Sequence, residues 1–341
     1  MNNISNFVGI DISADNFSAA GINTPEEEIF SVEKLSNDID GFNKFLNILK
    51  EHNFNGNNTI ICLEATGVYG ENFSYFLSSK SYKIALVDPR KVKEAINDSP
   101  RKNDLLDAKR IAEYAFRYTD KLSQWKPNDS IIEQLKVLLS TREAFIKQLN
   151  DNQNALGAIT RKYYQTPTAN RAYQNIIEQL KVSIKSLDEE IKKLINKDYS
   201  FKKTISLLLS VPGVGVLLAS NLMVLTNGFT NHLNYKEVAS YIGICPYEKT
   251  SGRTVYKKPR SKRYGPARLR KLLYLASLSV RTHNPSFKKY FLRKTAEGKP
   301  SHLVLNNIAN KLLKIIFAVL KSETAFINNY ISINPMLLKT S

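Results

Sequence analysis

The chain has 341 residues, 43% hydrophobic and 23% charged, which is ordinary for a folded protein of two domains. Its 49 Lys and Arg against 31 Asp and Glu leave a formal net charge of +18, which favours a polyanionic partner, either nucleic acid or an anionic membrane surface. The composition argues against a membrane span, a secretory signal and a Cys/His metal site: no apolar run approaches about 18–20 residues, the N-terminus lacks a basic segment, and only two Cys and four His are present. Both cysteines lie in apolar segments, so we expect a protein of the reducing cytoplasm.

The first ~120 residues alternate between strand and helix patterns. Apolar runs predict strands at 7–12, 17–22, 29–35, 59–63 and 83–87. Helical spacing predicts helices at 40–52, 71–79 and 105–118. The resulting order, βββαβαβα, predicts an α/β domain with mixed strand directions and an RNase H-like strand order.

Long helices follow from residue 130 to about residue 196, where apolar residues step by three and four, interrupted at Arg142 and Gln153. This spacing predicts a helical hairpin or coiled coil. Two interpretations remain open: an internal antiparallel pair that closes on itself, and an arm for dimerisation. Of the two, we favour a role of these helices in assembly.

The last region contains Pro-Gly-Val-Gly at 212–215 between two predicted helices, a pattern that resembles a helix–hairpin–helix turn. Backbone N–H groups of such a turn can hold a DNA phosphate, although a plain tight turn explains the same residues equally well. An apolar helix at 303–320 is expected to complete the core of this mostly helical region.

Most of the net positive charge lies in one segment, residues 249–299, called here the basic tract. It has sixteen Lys or Arg and one acid, Glu297, a net charge of +15. Tyrosines, phenylalanines, glycines and prolines are interleaved with these cations. The mixture favours a folded surface that contacts phosphates over a solvated basic face.

Four acids are notable for their placement. Asp11 lies near the end of one buried strand, Glu64 closes another, and Asp104 and Asp107 are three residues apart and so share one face of a helix. Each acid alone is more simply a surface carboxylate or helix cap. Together they predict a cluster that repels itself unless a cation is bound, and hard oxygen ligands select Mg²⁺, with Mn²⁺ as the alternative, rather than zinc. Two such ions can clamp the attacking and leaving oxygens of a phosphodiester.

Taken in order, the segments around these acids resemble the DEDD transposases of insertion-sequence family one-ten, which are related to the Piv invertases. The N-terminal matches are Val-Gly-Ile-Asp-Ile-Ser (8–13), Leu-Glu-Ala-Thr-Gly (63–67), Val-Asp-Pro-Arg (87–90) and Lys-Asn-Asp-Leu-Leu-Asp-Ala-Lys-Arg-Ile-Ala (102–112). The C-terminal matches are Val-Pro-Gly-Val-Gly (211–215), Tyr-Ile-Gly-Ile-Cys-Pro (241–246), Lys-Thr-Ser-Gly (249–252) and Tyr-Gly-Pro-Ala-Arg-Leu-Arg-Lys-Leu-Leu (264–273). The resemblance covers nearly the whole chain.

The resemblance implies a domain organisation: a RuvC-like catalytic domain at 1–125 with Asp11, Glu64, Asp104 and Asp107 as metal ligands, a helical coiled-coil region at 126–200, and a C-terminal transposase domain at 201–330. In that last domain Ser251 matches a serine that attacks DNA, whereas from the residues alone it is a turn serine before glycine. The composite site of acids and serine is expected to form between protomers. The phosphate contacts are expected from Lys257, Lys258, Arg260, Lys262, Arg263 and Arg268.

The partners implied are donor and target DNA, a bridge RNA that pairs with both, and further copies of the chain in a dimer or tetramer. No membrane is expected, and the place of action is the nucleoid in the bacterial cytoplasm. Three departures from the family pattern are Asn103, where Thr or Ser is common, Thr250, where Ser is common, and Arg253, where Gly is frequent. Thr250 leaves Ser251 as the clear candidate nucleophile.

Three other functions compete with this interpretation. A RuvC-like structure-specific endonuclease would need the acids but not Ser251. A non-enzymatic helix–hairpin–helix DNA-binding protein would tolerate loss of all four acids. An actin-like ATPase shares the Gly-Ile-Asp opening, but the sequence lacks convincing glycine-rich phosphate loops.

Overall fold

The structure, a computed structural model, describes residues 4–65, 67–96, 103–230, 234–251, 255–261 and 265–328. The chain divides into two compact units, the first ending at Pro127 and the second beginning at Asn128. Each unit has its own hydrophobic core.

The described part of unit 1 forms a six-stranded sheet in the order β3-β2-β1-β4-β5-β6. Strand β1 is antiparallel to β2 and parallel to β4, β2 is antiparallel to β3, and β5 is parallel to β4 and antiparallel to β6. The strands are β1 (Asn6–Ile12), β2 (Asn16–Thr24), β3 (Glu27–Ser36), β4 (Thr59–Glu64), β5 (Lys83–Val87) and β6 (Gln124–Trp125). The helices are α1 (Ile39–Glu51), α2 (Glu71–Ser79), α3 (Pro89–Ala95) and α4 (Asp104–Arg117), followed by a 3₁₀ turn at Thr119–Lys121.

The sheet of unit 1 is covered on both faces, because successive residues of a strand point to opposite sides. On β1, Val8 and Ile10 join the core that contains the phenylalanines of α1 and α2, whereas Phe7 joins the core that contains Ile111 of α4. Burial of both faces explains why β1 and β4 are continuous apolar runs rather than alternating ones.

The strand and helix pattern predicted for unit 1 is confirmed as a mixed α/β sheet, and α2 and β5 have the predicted bounds. Two elements were not predicted. The first is α3, which begins two residues after the strand predicted at 83–87. Asp88 is a helix cap whose carboxylate accepts a hydrogen bond from the Arg90 N–H at 2.9 Å, and proline suits the first helical position. The second is β6, which has two residues and no periodicity to detect.

Unit 2 is mostly helical, as predicted. Its helices are α5 (Ser130–Ile159), α6 (Pro167–Lys197), α7 (Tyr199–Ser210), α8 (Val216–Leu225), α9 (Tyr235–Ile242), α10 (Ala267–His283), α11 (Pro285–Ala296) and α12 (Ser301–Ser322). Between α9 and α10 an antiparallel hairpin that the sequence did not predict runs through the basic tract: β7 (Pro246–Ser251) and β8 (Val255–Ser261). Polar, cationic strands of this kind lack the apolar alternation by which strands are recognised.

Helices α5 and α6 pack along each other as an antiparallel hairpin. Arg142 on α5 and Asp188 on α6 form a two-bond ion pair, with Nε–Oδ1 at 2.6 Å and Nη2–Oδ2 at 3.2 Å. The polar residue that interrupts the apolar register of α5 is therefore a cross-helix contact. A coiled coil and a dimerisation arm remain predictions.

Helix α12 corrects the expectation that no segment is long and apolar enough to span a membrane. Among the described residues, this 22-residue helix passes that test by length and composition. Its buried residues, including Ile308, Leu312 and Ile316, are part of the core of unit 2. A core helix of a globular unit passes the same test, so α12 is weak support for a membrane span.

Candidate active site

Two of the predicted acids lie side by side on the central strands of unit 1. Strands β1 and β4 are parallel neighbours in a register that pairs Ile10 with Leu63, so the next residues, Asp11 and Glu64, come together at the same sheet edge. By the alternation along each strand, both carboxylates belong to the face that carries α4. Asp11 and Glu64 are both partly exposed.

The other two acids are delivered by the first turn of α4. The helix begins at Asp104 because the Asn103 side-chain oxygen accepts a hydrogen bond from the Leu105 N–H at 3.1 Å. Asn, Ser and Thr are all good helix caps, so the departure from the family pattern at this position keeps the same structural role. Asp104 and Asp107 also lie at the positive end of the helix dipole, where carboxylates are favoured.

Gly9 on β1 determines how closely α4 approaches the sheet. A β-carbon placed on Gly9 would be 2.0 Å from the Ala108 carbonyl oxygen and 2.3 Å from the Ala112 nitrogen, so a larger residue cannot occupy this position without moving the helix. The sequence analysis did not single out Gly9. The available signal was a glycine inside an otherwise apolar buried strand, which often marks the close approach of another backbone.

The negative charges of this cluster act on its two strand-end carboxylates, Asp11 and Glu64. Burial raises the pKa of Asp11, and the negative charges of Asp107 and Asp104 raise it further. Burial likewise raises the pKa of Glu64, as do Asp11 and Asp107, while Lys93 opposes them. Negative charge is therefore concentrated at this end of the sheet. The charged forms of these carboxylates repel one another unless cations are near.

Two protein cations stand beside the cluster. The Arg110 guanidinium contacts the Asp107 carboxylate at 2.9 Å, and Lys93 lies with Glu64, Asp107 and Arg110 around a cavity of ≈ 230 Å³. Among the residues that the structure describes, no three His, Cys, Asp or Glu side chains are already spaced to hold one metal ion. The acids are thus close enough to repel each other but are not gathered into a finished coordination shell.

Ser251 is the last residue of β7 and pairs with Val255, the first residue of β8. Of the predicted phosphate contacts, Lys257, Lys258 and Arg260 are on β8. Lys262 and Arg263 lie outside the described residues.

Arg268 is on α10, and its guanidinium is engaged within unit 2. It donates a hydrogen bond to the Leu139 carbonyl oxygen at 2.6 Å and lies 3.7 Å from the Glu143 carboxylate. Burial lowers the pKa of this guanidinium, and Glu143 opposes that shift. These contacts tie α10 to α5, and a phosphate contact of Arg268 stays a prediction.

The Pro-Gly-Val-Gly turn does lie between two helices, α7 and α8. Gly213 has φ +80°, and a β-carbon there would be 2.9 Å from the Ala276 carbonyl oxygen of α10. This glycine is thus explained by packing inside unit 2, and a DNA-binding role of the turn remains a prediction.

The sheet order of unit 1, with carboxylates at the ends of its two central parallel strands, is consistent with an RNase H-like domain of the DEDD type. Two family models match the chain. One, described as a transposase, represents the DEDD transposases of IS110 and matches residues 8–165, a range that contains all four acids. The other is described as "Transposase IS116/IS110/IS902 family" and matches residues 205–292, which contain Ser251 and most of the basic tract.

Curated relatives extend along most of the chain. It is 27% identical over 328 residues to the "Pilin gene-inverting protein" of Moraxella lacunata, covering 94% of this chain and 97% of that protein. It is 25% identical over 348 residues to "Putative transposase y4pF/y4sB" of Sinorhizobium fredii, covering 94% of this chain and 85% of that protein. It is 24% identical over 292 residues to the "Transposase for insertion sequence element IS1111A" of Coxiella burnetii, covering 78% and 79%.

The chain belongs to the IS110 family of DEDD transposases, as the sequence resemblance implied. It is an enzyme, a DNA transposase or recombinase, and its substrates are DNA. DEDD transposases typically use divalent metal ions.

Proposed function

We propose that this transposase cuts and rejoins DNA with two chemical centres, a metal site made by Asp11, Glu64, Asp104 and Asp107 and a nucleophile, Ser251. The observation that carries the first centre is the convergence of two strand-end carboxylates with the acidic first turn of α4, where neighbouring acids raise the pKa of Asp11 and of Glu64. Such mutual repulsion is relieved when a cation binds, which is how ligand carboxylates behave in the absence of their metal.

The donor set fits a hard divalent cation. Carboxylate oxygens select Mg²⁺, or Mn²⁺ in its place, over softer metals. Because the described acids do not already form a group of three, binding would require their carboxylates to move closer together around the ion. Once bound, the ion would stabilise negative charge that develops on the phosphodiester oxygens.

Ser251 supplies the covalent step. Its hydroxyl oxygen attacks the phosphorus of the scissile phosphodiester, a new Ser–O–P bond forms, and the bond to the leaving strand breaks. The leaving oxygen takes up a proton and becomes a free hydroxyl, while the serine proton passes to a base or to solvent. Rejoining reverses these steps with the hydroxyl of a different strand, so the bond energy is conserved and no ATP is required.

The basic tract supplies contacts to phosphates. Its charge of +15 and the placement of Lys257, Lys258 and Arg260 on one strand support this part of the proposal. The family resemblance further implies a bridge RNA that pairs with donor and target DNA, and assembly into a dimer or tetramer in which the acids and the serine meet between protomers.

A nicked suicide DNA substrate tests the covalent step. The wild-type protein with Mg²⁺ should form a protein–DNA adduct that survives denaturation and maps to Ser251 by peptide mass spectrometry. Ser251→Ala should lose both the adduct and recombination, whereas Ser261→Ala, a serine that ends β8, should keep them.

Strand cleavage by Ser251→Ala at the wild-type rate would reject the serine mechanism and favour a hydrolytic RuvC-like nuclease, which leaves protein and DNA unlinked. An adduct that maps to Thr250 or to a tyrosine would keep covalent catalysis but refute the assignment of Ser251.

A further inference from the structure

Two tyrosines are displayed at the end of the long helical hairpin. Residues 160–166 connect α5 to α6 and are called here the hairpin tip. Within it, Tyr163 is 92% exposed and Tyr164 is 85% exposed. Burying a tyrosine ring away from water is favourable, so two adjacent exposed rings offer an unused contact surface.

The hairpin tip is held in one arrangement by its own hydrogen bonds. The Gln165 side-chain amide donates to the carbonyl oxygens of Thr160 at 3.0 Å and Lys162 at 2.5 Å. The two tyrosine rings meet edge to face, with centroids 5.0 Å apart and planes at 87°. The rings are therefore presented by an organised turn and not by a free tail.

The hairpin tip is remote from the core of unit 2. The last buried residue of α5 is Leu139, and the first of α6 is Ile177. At 1.5 Å per residue, the end of α5 projects about 30 Å beyond Leu139. Core packing therefore does not account for the tyrosines.

The charge around the hairpin tip has one sign. From Asn152 to Ile177 the sequence contains no Asp or Glu, and its charged residues are Arg161, Lys162 and Arg171, all exposed. Exposed rings next to cations without acids match a partner that offers both flat apolar faces and negative charge.

We propose that the hairpin tip binds unpaired nucleotides of single-stranded DNA or RNA, with bases stacked on Tyr163 and Tyr164 and phosphates beside Arg161 and Lys162. Unpaired bases expose the faces that a duplex keeps stacked inside, and stacking on aromatic rings tolerates any base sequence. A protein partner would need an acidic apolar surface. Nucleic acid is favoured because DNA is already the substrate class of this family.

The experiment uses the full chain and single strands of about 20 nucleotides, longer than one typical aromatic binding site. One strand is a homopolymer of deoxythymidine nucleotides and the other a homopolymer of uridine nucleotides. Each also carries 5-iodouracil, which cross-links under light to an aromatic ring stacked on it. The cross-linked peptide should contain Tyr163 or Tyr164, and the strand bound more tightly identifies DNA or RNA as the natural ligand.

The variant Tyr163→Ser/Tyr164→Ser should bind the preferred strand at least about tenfold more weakly, because stacking contributes roughly a factor of ten or more per base. Binding of a blunt duplex should change less than twofold. The matched control is Tyr199→Ser, which removes a tyrosine that is 83% exposed outside the hairpin tip and should leave all affinities unchanged.

Cross-links that map only outside the hairpin tip, residues 160–166, would overturn the proposal. A double variant that binds single strands normally would also overturn it. A double variant that changes only its oligomeric state in sedimentation would overturn it too, because the hairpin tip would then be a protein contact. These outcomes are independent of the proposed metal and serine chemistry, because the assay needs neither cleavage nor Mg²⁺.

Discussion

Gly9 of β1 lies against the backbone of Ala108 in α4, so closely that a β-carbon on the glycine would stand 2.0 Å from the Ala108 carbonyl oxygen. Because α4 carries Asp104 and Asp107 and β1 carries Asp11, this contact sets the separation between the two halves of the acidic cluster. A residue without chemistry of its own therefore positions the candidate ligands.

Gly9→Ala should force α4 away from the sheet and destabilise unit 1 by about 1–3 kcal/mol, the usual range for an overfilled core. DNA cleavage should fall by more than the unfolded fraction explains, since the carboxylates separate. The control is Gly157→Ala in the last turn of α5, where a β-carbon meets nothing within 4 Å and should stabilise the helix by at most about 1 kcal/mol. Thermal unfolding and cleavage assays measure both effects, and a Gly9→Ala protein of normal stability would contradict this account of the packing.

Asp11→Asn should abolish strand cleavage yet stabilise the metal-free protein at neutral pH. The pKa of Asp11 is raised by burial, Asp107 and Asp104, so the charged carboxylate costs stability. Because its pKa is raised in the folded state, the contribution of Asp11 to the free energy of unfolding is fully present below pH 3.8, its ordinary pKa. That contribution is lost as the pH rises through the folded-state pKa. The gain in melting temperature of Asp11→Asn over wild type in EDTA should therefore shrink as the pH is lowered.

Mg²⁺ should raise the melting temperature of the wild-type protein and raise that of Asp11→Asn much less, since binding to the folded state alone is stabilising. Asp15→Asn, which removes an exposed acid from the β1–β2 turn, should respond to Mg²⁺ like wild type. Equal Mg²⁺ responses of Asp11→Asn and wild type, or normal cleavage by Asp11→Asn, would remove the metal site.

Removal of five cations from the basic tract should weaken DNA binding for every sequence and flatten the plot of log affinity against log salt by about one unit per lost contact. The variant changes Lys257, Lys258, Arg260, Lys262 and Arg263 to Ala. A control with the same change in charge replaces five exposed lysines of α6, and it should keep most of the salt dependence: Lys181, Lys185, Lys192, Lys193 and Lys197. Identical slopes for the two variants would show that the tract has no special role.

Arg268→Ala should behave as a stability variant and not as a DNA-binding variant. It removes the 2.6 Å hydrogen bond from the charged guanidinium to the Leu139 carbonyl, a loss of about 1.5–3 kcal/mol. Thermal unfolding should report this loss, and the salt dependence of DNA binding should remain that of wild type. A salt slope flattened by one unit at unchanged stability would restore Arg268 to the phosphate contacts.

Much of unit 1 was predictable because its signals are local. Apolar runs located β1 to β5, and helical spacing located α1, α2 and α4 within a residue or two. The missed α3 was also local, since Asp88 before Pro89 is a cap followed by a favoured first helical residue. In unit 2 the hairpin of β7 and β8 could not be found in this way, because cations occupy positions where a strand usually alternates apolar and polar residues.

The sequence by itself determined the α/β order of unit 1, the helical character of unit 2, the concentration of charge in the basic tract and the membership of the family, because each depends on neighbouring residues or on motifs in order. Only the tertiary structure decided which acids influence one another, that Gly9 sets their spacing, and that the Arg268 guanidinium donates to the Leu139 carbonyl of α5. These relationships join residues far apart in the chain, such as Leu139 and Arg268, and contacts of that kind are created by packing and leave no periodic trace in the sequence.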